Sequence, residues 1–258
     1  MADIYNCKII SKEKLNTQTF MFRISCKSLA EKISPGQFLH IKCKAEHILR
    51  RPICVASVDE SDIYFVIEIR GAGTRWLCER PIGFTLDILG PLGNGFTLSA
   101  GNIIVVGGGV GVPPLLYAAR IASADNKTKC NITAILGFRD KSKIILYNEF
   151  SSICSDVIIT TDDGSSGIKG FVTEPLRALI KENKIDMVLT CGPRKMMESV
   201  AKICSDNKIS CRVSLEERMG CGVGACMVCA CKTIKNGTEQ MSLVCSDGPV
   251  FDAQEIVW

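Results

Sequence analysis

Two rhythms of apolar residues divide the chain. Early on, short β-rich runs such as Thr19-Phe-Met-Phe-Arg-Ile24, Phe38-Leu-His-Ile-Lys42 and Ile63-Tyr-Phe-Val-Ile-Glu-Ile69 are separated by turns containing Gly and Pro. That spacing predicts an antiparallel β-barrel over residues 1–100. From Asn102 to Val213 the rhythm changes. Strand-like apolar runs there alternate with helical patterns through residues 103–106, 115–121, 132–136, 157–160, 176–180, 187–190 and 196–203. Such alternation predicts a parallel α/β domain over 101–214, joined to the barrel through Ser99-Ala-Gly-Asn102. The remaining stretch, 215–258, has neither rhythm and forms a small third unit.

Composition narrows the class without naming a function. The 258 residues are 47% hydrophobic and 22% charged, ordinary values for a globular protein long enough for two compact domains and an appendage. No apolar run approaches the ~18 residues of a membrane span, and Met1-Ala-Asp-Ile-Tyr5 is not a secretory leader, so a cytoplasmic protein is expected. A net charge of +4 is too small and too dispersed for a nucleic-acid surface. Of fifteen cysteines, ten are scattered singly through apolar segments and read as reduced, buried small hydrophobes. The other five are concentrated between positions 221 and 245.

Cys221, Cys226 and Cys229 lie in the run Met219-Gly-Cys-Gly-Val-Gly-Ala-Cys-Met-Val-Cys-Ala-Cys-Lys232, with Cys245 downstream. Four residues separate the first two and two separate the next pair. This spacing resembles the plant-type ferredoxin arrangement, in which four thiolates hold a [2Fe-2S] cluster. Gly220, Gly222 and Gly224 let the backbone wrap such a group closely. Zinc is the competing occupant, although its structural sites usually pair two short Cys knuckles, and only Cys226 and Cys229 make one here. The two histidines, His40 and His47, lie far away in sequence, against the mixed ligation of a Rieske centre. Cys231 is an alternative ligand to Cys229 or Cys245; Cys245 is preferred because it opens the turn Cys245-Ser-Asp-Gly-Pro249.

Between a strand and a helix, Ile103-Ile-Val-Val-Gly-Gly-Gly-Val-Gly-Val-Pro-Pro-Leu115 places Gly107, Gly109, Gly111 and Pro114 as a candidate phosphate cradle. Val112 stands where a dinucleotide fingerprint has its third glycine, and the pattern instead resembles the nucleotide loop of ferredoxin reductases. A bare turn is the alternative. Cys191-Gly-Pro-Arg-Lys-Met-Met197 follows a second apolar strand, and its Cys191, Gly192 and Pro193 resemble the turn that faces nicotinamide in the same reductases. The two turns together predict the carboxyl edge of one sheet.

Within the barrel, Arg51, Pro52, Ile53 and Cys54 resemble the Arg-x-x-Ser flavin motif of that superfamily, with Cys54 a weaker donor in place of Ser. Gly71-Ala-Gly-Thr-Arg-Trp76 reads as a turn entering a short helix, where Gly73 and Thr74 would meet the flavin pyrophosphate. Ile67, Glu68 and Arg70 are further flavin candidates, and the sequence leaves open which of Glu68 and Arg70 faces the ring. Asp162-Asp-Gly-Ser-Ser-Gly167 borders the nucleotide pocket or is a solvated acidic turn.

Taken together, these motifs and the ending Cys-Ser-Asp-Gly-Pro-Val-Phe resemble the electron-transfer subunits of bacterial NAD-dependent dihydroorotate dehydrogenases, over essentially the whole chain. Related bifurcating transhydrogenase subunits carry Asp where this chain has Cys221. The resemblance implies FAD on the barrel with Arg51 as its anchor, NAD(H) on the α/β domain with Cys191 at the reacting ring, and Cys221, Cys226, Cys229 and Cys245 as ligands of the [2Fe-2S] cluster. It also implies a catalytic FMN-containing partner that oxidises dihydroorotate, in a heterotetramer of two of each subunit. A flavin and iron-sulfur subunit of a sulfite reductase or hydrogenase, or a redox sensor without turnover, are the competing readings. Sequence leaves NAD and NADP undistinguished, since Arg139 and Asp140 follow a predicted strand with opposite charges.

Overall fold

The computed structural model describes residues 2–44, 46–124 and 130–258. Its first sheet closes on itself. Strands β1 (Asp3–Lys14), β2 (Thr19–Ser25), β3 (Phe38–Ile41), β4 (Arg51–Asp59), β5 (Asp62–Glu68) and β6 (Thr85–Leu92) form a barrel in the order β1-β2-β5-β4-β3-β6, with short helices α1 (Lys27–Ala30) and α2 (Ala72–Cys78) between them. Alternating residues fill the interior: Phe22 and Ile24 from β2, Ile63, Phe65 and Ile67 from β5, and Leu86 and Ile88 from β6 are all buried. Phe22 and Phe65 are directly paired across the strands, and their rings stack 5.4 Å apart, 4° from parallel.

The second sheet is open. Its strands are β7 (Asn102–Gly108), β8 (Asn131–Phe138), β9 (Asp156–Thr161), β10 (Ile168–Lys169), β11 (Met187–Cys191) and β12 (Ser210–Ser214), parallel to one another in the order β10-β9-β8-β7-β11-β12. Helix α3 (Val112–Ala124) packs against one face. On the other lie α5 (Thr173–Glu182) and α6 (Arg194–Asp206), while the short α4 (Tyr147–Ser151) precedes β9. The continuous run Ile103-Ile-Val-Val106 is explained by this sandwich, because Ile103 and Val105 enter the α3 layer while Ile104 and Val106 enter the α5/α6 layer.

A hairpin of β13 (Ala230–Lys235) and β14 (Thr238–Leu243) comes next, and β15 (Val250–Asp252) then pairs antiparallel with β12. The expected parallel sheet thus has one antiparallel edge strand, drawn from the unit that the sequence sets apart. Three residues of extended chain at 250–252 carry too little periodicity to be read as a strand before their partner is known.

Contacts between the units are specific. Tyr117 of α3 is buried in the barrel's hydrophobic cluster and its hydroxyl donates to the Ile33 carbonyl at 3.2 Å. At the end of the barrel, Asn94 donates from its side chain to the Ser246 and Asp247 carbonyls, each at 3.0 Å, and from its amide to Gly248 at 2.6 Å. The ten scattered cysteines divide. Cys7, Cys43, Cys78, Cys191, Cys204 and Cys211 are buried thiols as expected, whereas Cys26, Cys54, Cys130 and Cys154 are only half-buried; Cys26, Cys130 and Cys154 flank strands and helices, and Cys54 lies within β4.

The stacked aromatic pair is expected to dominate barrel stability. Phe22→Ala should lower it by about 3–5 kcal/mol, as large-to-small core changes do. Tyr117→Phe, which removes one buried hydroxyl, should cost only about 1 kcal/mol. Urea unfolding followed by circular dichroism measures both.

Candidate functional site

Residues 219–229 form a loop without regular secondary structure, and its backbone amides turn inward onto sulfur. Cys221 Sγ accepts from the amides of Val223 at 3.4 Å, Ala225 at 3.3 Å and Cys226 at 3.4 Å. Cys226 Sγ accepts from the Cys221 amide at 3.3 Å, Cys245 Sγ from Gly224 at 3.2 Å, and Cys229 Sγ from Cys245 at 3.4 Å. Two glycines make these turns possible. Gly222 and Gly224 have φ of 76° and 82°, the left-handed region, whereas Gly220 does not. Gly220 serves differently, since a Cβ there would stand 3.0 Å from Cys226 Sγ.

The thiols fall into two pairs, each in side-chain contact: Cys221 with Cys226, and Cys229 with Cys245. Burial raises the Cys221 thiol, but the amides of Val223, Cys226 and Ala225 outweigh it and bring the group down to about 6. Cys245 is pushed up to about 11, by burial first and then by the neighbouring Cys229 thiol. Cys226 is exposed while Cys229 and Cys245 are buried, so one pair faces outward and the other inward.

These sulfurs suit a two-iron cluster. Two thiol pairs wrapped by N–H donors match two irons with two thiolates each. Cys231 is grouped elsewhere. It lies on β13 opposite Ser242, buried at 5% exposure, and none of the amide-to-sulfur bonds reaches it.

At the carboxyl edge of the open sheet, the glycine loop after β7 meets the Cys191-Gly192-Pro193 turn after the adjacent β11. A cleft of about 350 Å³ opens there, lined by Gly108 to Gly111, Gly192, Pro193, Glu68, Arg70 and residues 215–217 among others. Gly109 has φ of 53° and open space where a Cβ would stand, so its backbone can be approached closely. At Gly111 a Cβ would stand 2.5 Å from the Cys191 carbonyl, so this glycine lets the two turns touch. Gly107 and Pro114 lie beneath the cleft: Gly107 is pressed against Val112 and Leu115, and Pro114 is buried in α3.

The barrel closes the other side of the cleft. Burial holds the Cys54 thiol up at about 12, with Glu216 adding to the shift; burial likewise raises Cys191, with Cys54 adding. Both thiols are therefore neutral at physiological pH. Arg70 donates to Glu68 at 2.6 Å and lies 3.7 Å from Glu216, so Glu68 and Arg70 act at this cleft as one ion-paired unit. Arg194 and Glu217 form a second pair at 3.7 Å. Ile67 is different: its side chain is fully buried in the barrel core, because β5 alternation turns it away from the cleft.

Arg51 reaches back from β4 over the start of α2, held by the carbonyls of Leu49 and Arg50. A Cβ on Gly73 would meet its Nε at 2.5 Å. A guanidinium beside helix-start amides, with no carboxylate paired to it among the described residues, leaves two positive features facing one space. That arrangement fits a diphosphate. Thr74 turns its hydroxyl to its own backbone, accepting from the Arg70 and Gly71 amides at 2.9 and 3.1 Å, and so offers only its amide.

Sequence reasoning missed Gly108, Val110, Arg194, Met197 and the Glu216-Glu217 pair. The signal available for the glutamates was position alone: they follow β12 and precede the cysteine loop. On the far side, Asp162 and Asp163 lie in the exposed turn after β9, where Asp163 accepts from Ser165. Asp140 accepts from the backbone amide of Ser142 at 2.8 Å.

Comparison with known proteins places the pieces together. The family model of the iron-sulfur cluster binding domain of dihydroorotate dehydrogenase B matches residues 216–257, and that of the oxidoreductase NAD-binding domain matches 105–202. The electron transfer subunit of dihydroorotate dehydrogenase B (NAD(+)) from Caldanaerobacter subterraneus subsp. tengcongensis is 36% identical, covering 97% of each chain. Its counterpart from Clostridium perfringens is 40% identical over 87% of each. Among solved structures, the NADH-dependent reduced ferredoxin-NADP oxidoreductase superposes with a TM-score of 0.87 at 33% identity, over 98% of this chain and 90% of that one. FAD, a [2Fe-2S] cluster and NAD(H) are the groups this fold carries.

The crowding of Gly73 and Arg51 gives a direct test. Gly73→Ala should displace the guanidinium, so that purified protein loses most of its flavin, read from its visible absorbance, while iron content stays unchanged.

Proposed function

Because this chain belongs to the family of dihydroorotate dehydrogenase B electron transfer subunits, we propose that it carries electrons from a dihydroorotate-oxidising flavoprotein partner to NAD+, in pyrimidine biosynthesis. The observation that carries this reading is one cleft lined by the end of β5, the two nucleotide turns and residues 215–217, the segment that leads into the cysteine loop. The division of labour is 1–100 for FAD, 101–214 for NAD(H) and 215–258 for the cluster, in a cytoplasmic complex of two chains of each kind. No described helix is long and apolar enough to cross a membrane.

FAD and [2Fe-2S], when bound, supply two-electron exchange with nicotinamide and one-electron transfer. The chain's residues supply place and charge. Arg51, with the Gly73 and Thr74 amides, would hold the flavin diphosphate, and the open backbone at Gly109, beside Gly111, would receive that of the nucleotide. Cys191, with Gly192 and Pro193, bounds the nicotinamide. Its thiol and that of Cys54 are held neutral by burial, so neither presents a thiolate to the reacting groups. Pro52 and Ile53 would border the flavin beside Cys54, and the Glu68–Arg70–Glu216 array sets the charge at the rim. Cys221, Cys226, Cys229 and Cys245 hold the irons, oriented by the N–H donors of their own loop.

Co-expression with a dihydroorotate-oxidising subunit tests the reading. The purified complex should form orotate with NAD+ as acceptor, and neither subunit alone should do so. Cys226→Ser should lower that coupled rate by at least about 10-fold while NADH still reduces the bound flavin. Stable association with a sulfite reductase or hydrogenase subunit, and none with the dihydroorotate-oxidising one, would refute it.

A further inference from the structure

Between the flavin strand and the cysteine loop stands a side chain that no motif predicts. His40 lies on β3, paired with Pro52 of β4 on one side and Leu89 of β6 on the other. It has no exposed surface, and neither Nδ1 nor Nε2 has a hydrogen-bond partner. A buried imidazole left unsatisfied is destabilising, so the position demands an explanation.

The ring's surroundings supply one. Gly222, the residue after Cys221, lies flat against it, and a Cβ there would stand 2.6 Å from Nδ1 and 3.1 Å from Cε1. Nδ1 is thereby the ring atom nearest Gly222, and the Cys221 and Arg50 backbones lie beside the ring, although neither is in hydrogen-bond geometry with it. Arg50 is itself fixed, donating to the His40 and Asp87 carbonyls at 3.2 and 3.1 Å and to the Asp87 carboxylate at 2.8 Å. One imidazole therefore touches the chain that bears the first thiolate and is paired to the strand that bears the flavin motif.

We propose that His40 is a positioning residue for electron transfer: its ring N–H, beside the Cys221 backbone, seats the cysteine loop on the flavin barrel and sets the spacing between cluster and flavin. The role rests on the functional reading above. An apolar residue of equal size would fill the same space, yet would leave the Cys221–Gly222 segment held by packing alone. The absence of a side chain at Gly222 is the matching half of the device, because any Cβ would push the ring away.

The test uses the purified holoprotein and NADH, without dihydroorotate. His40→Leu, or His40→Met should the first not fold, removes the N–H; His40→Asn and His40→Gln each keep one. Stopped-flow absorbance follows flavin reduction, and freeze-quench EPR follows the reduced cluster. In the apolar variants, flavin reduction should stay within about twofold of wild type, cluster reduction should slow by about tenfold or more, and the cluster's g-values and midpoint potential should shift. At least one amide variant should recover most of the rate and the spectrum. An apolar variant with wild-type cluster kinetics and EPR, or amide and apolar variants equally impaired, would overturn the role. A wild-type chain that retains neither flavin nor iron would overturn the functional reading beneath it.

Discussion

A loop that carries thiolates cannot fix its own position; everything the molecule does depends on the hydrogen bonds by which other units hold it. Asn94 provides the central ones, binding the carbonyls of Ser246, Asp247 and Gly248 from the rim of the barrel. On the other side β15 pairs with β12, so the same short segment is anchored to the nucleotide sheet. Cys245 lies just ahead of these anchors and receives the Gly224 amide. The barrel, the sheet and the cysteine loop are therefore set relative to one another by a few residues at 245–252, and electron transfer, which falls off steeply with distance, requires that precision.

The cleft is a product of this junction. Parallel strands β7 and β11 are neighbours whose connections leave in opposite directions, which opens a crevice at their carboxyl ends. Gly111 lets the two turns approach until backbone touches backbone, and the barrel presents Cys54 and the Glu68–Arg70 pair from across the gap. Burial then keeps both facing thiols protonated. The cleft is lined by ion pairs, and the two thiols near it are neutral.

Much of this was legible in the order of residues, for local reasons. The 221–245 spacing and the glycine loop encode geometry over a few residues, and apolar patterning marked β2, β5 and α6 by their periods and β7 by its continuous run. What escaped depends on pairing across the chain. Ile67 reads as a flavin neighbour, yet strand register turns it into the barrel core. Strand β15 is too short to announce itself, and Glu216 and Glu217 acquire meaning only when Arg70 and Arg194 arrive opposite them. His40 reads as one alternating position in an apolar run, and nothing nearby in sequence announces Gly222 against its ring.

The uneven exposure of the four cysteines has a consequence for the life of the molecule. Cys226 is open to solvent, and its neighbours Val223, Met227 and Val228 leave 51%, 58% and 56% of their surfaces uncovered. Oxygen and peroxides reach such a sulfur readily, and a ligand lost to sulfinic acid is not recovered without dedicated repair. A solitary chain would shed its iron from this outer rim first, while the inner pair stayed shielded. The durability of the metal centre then belongs to the assembly rather than to the subunit, and a cell that made this chain in excess of whatever surface covers the rim would accumulate protein with damaged centres.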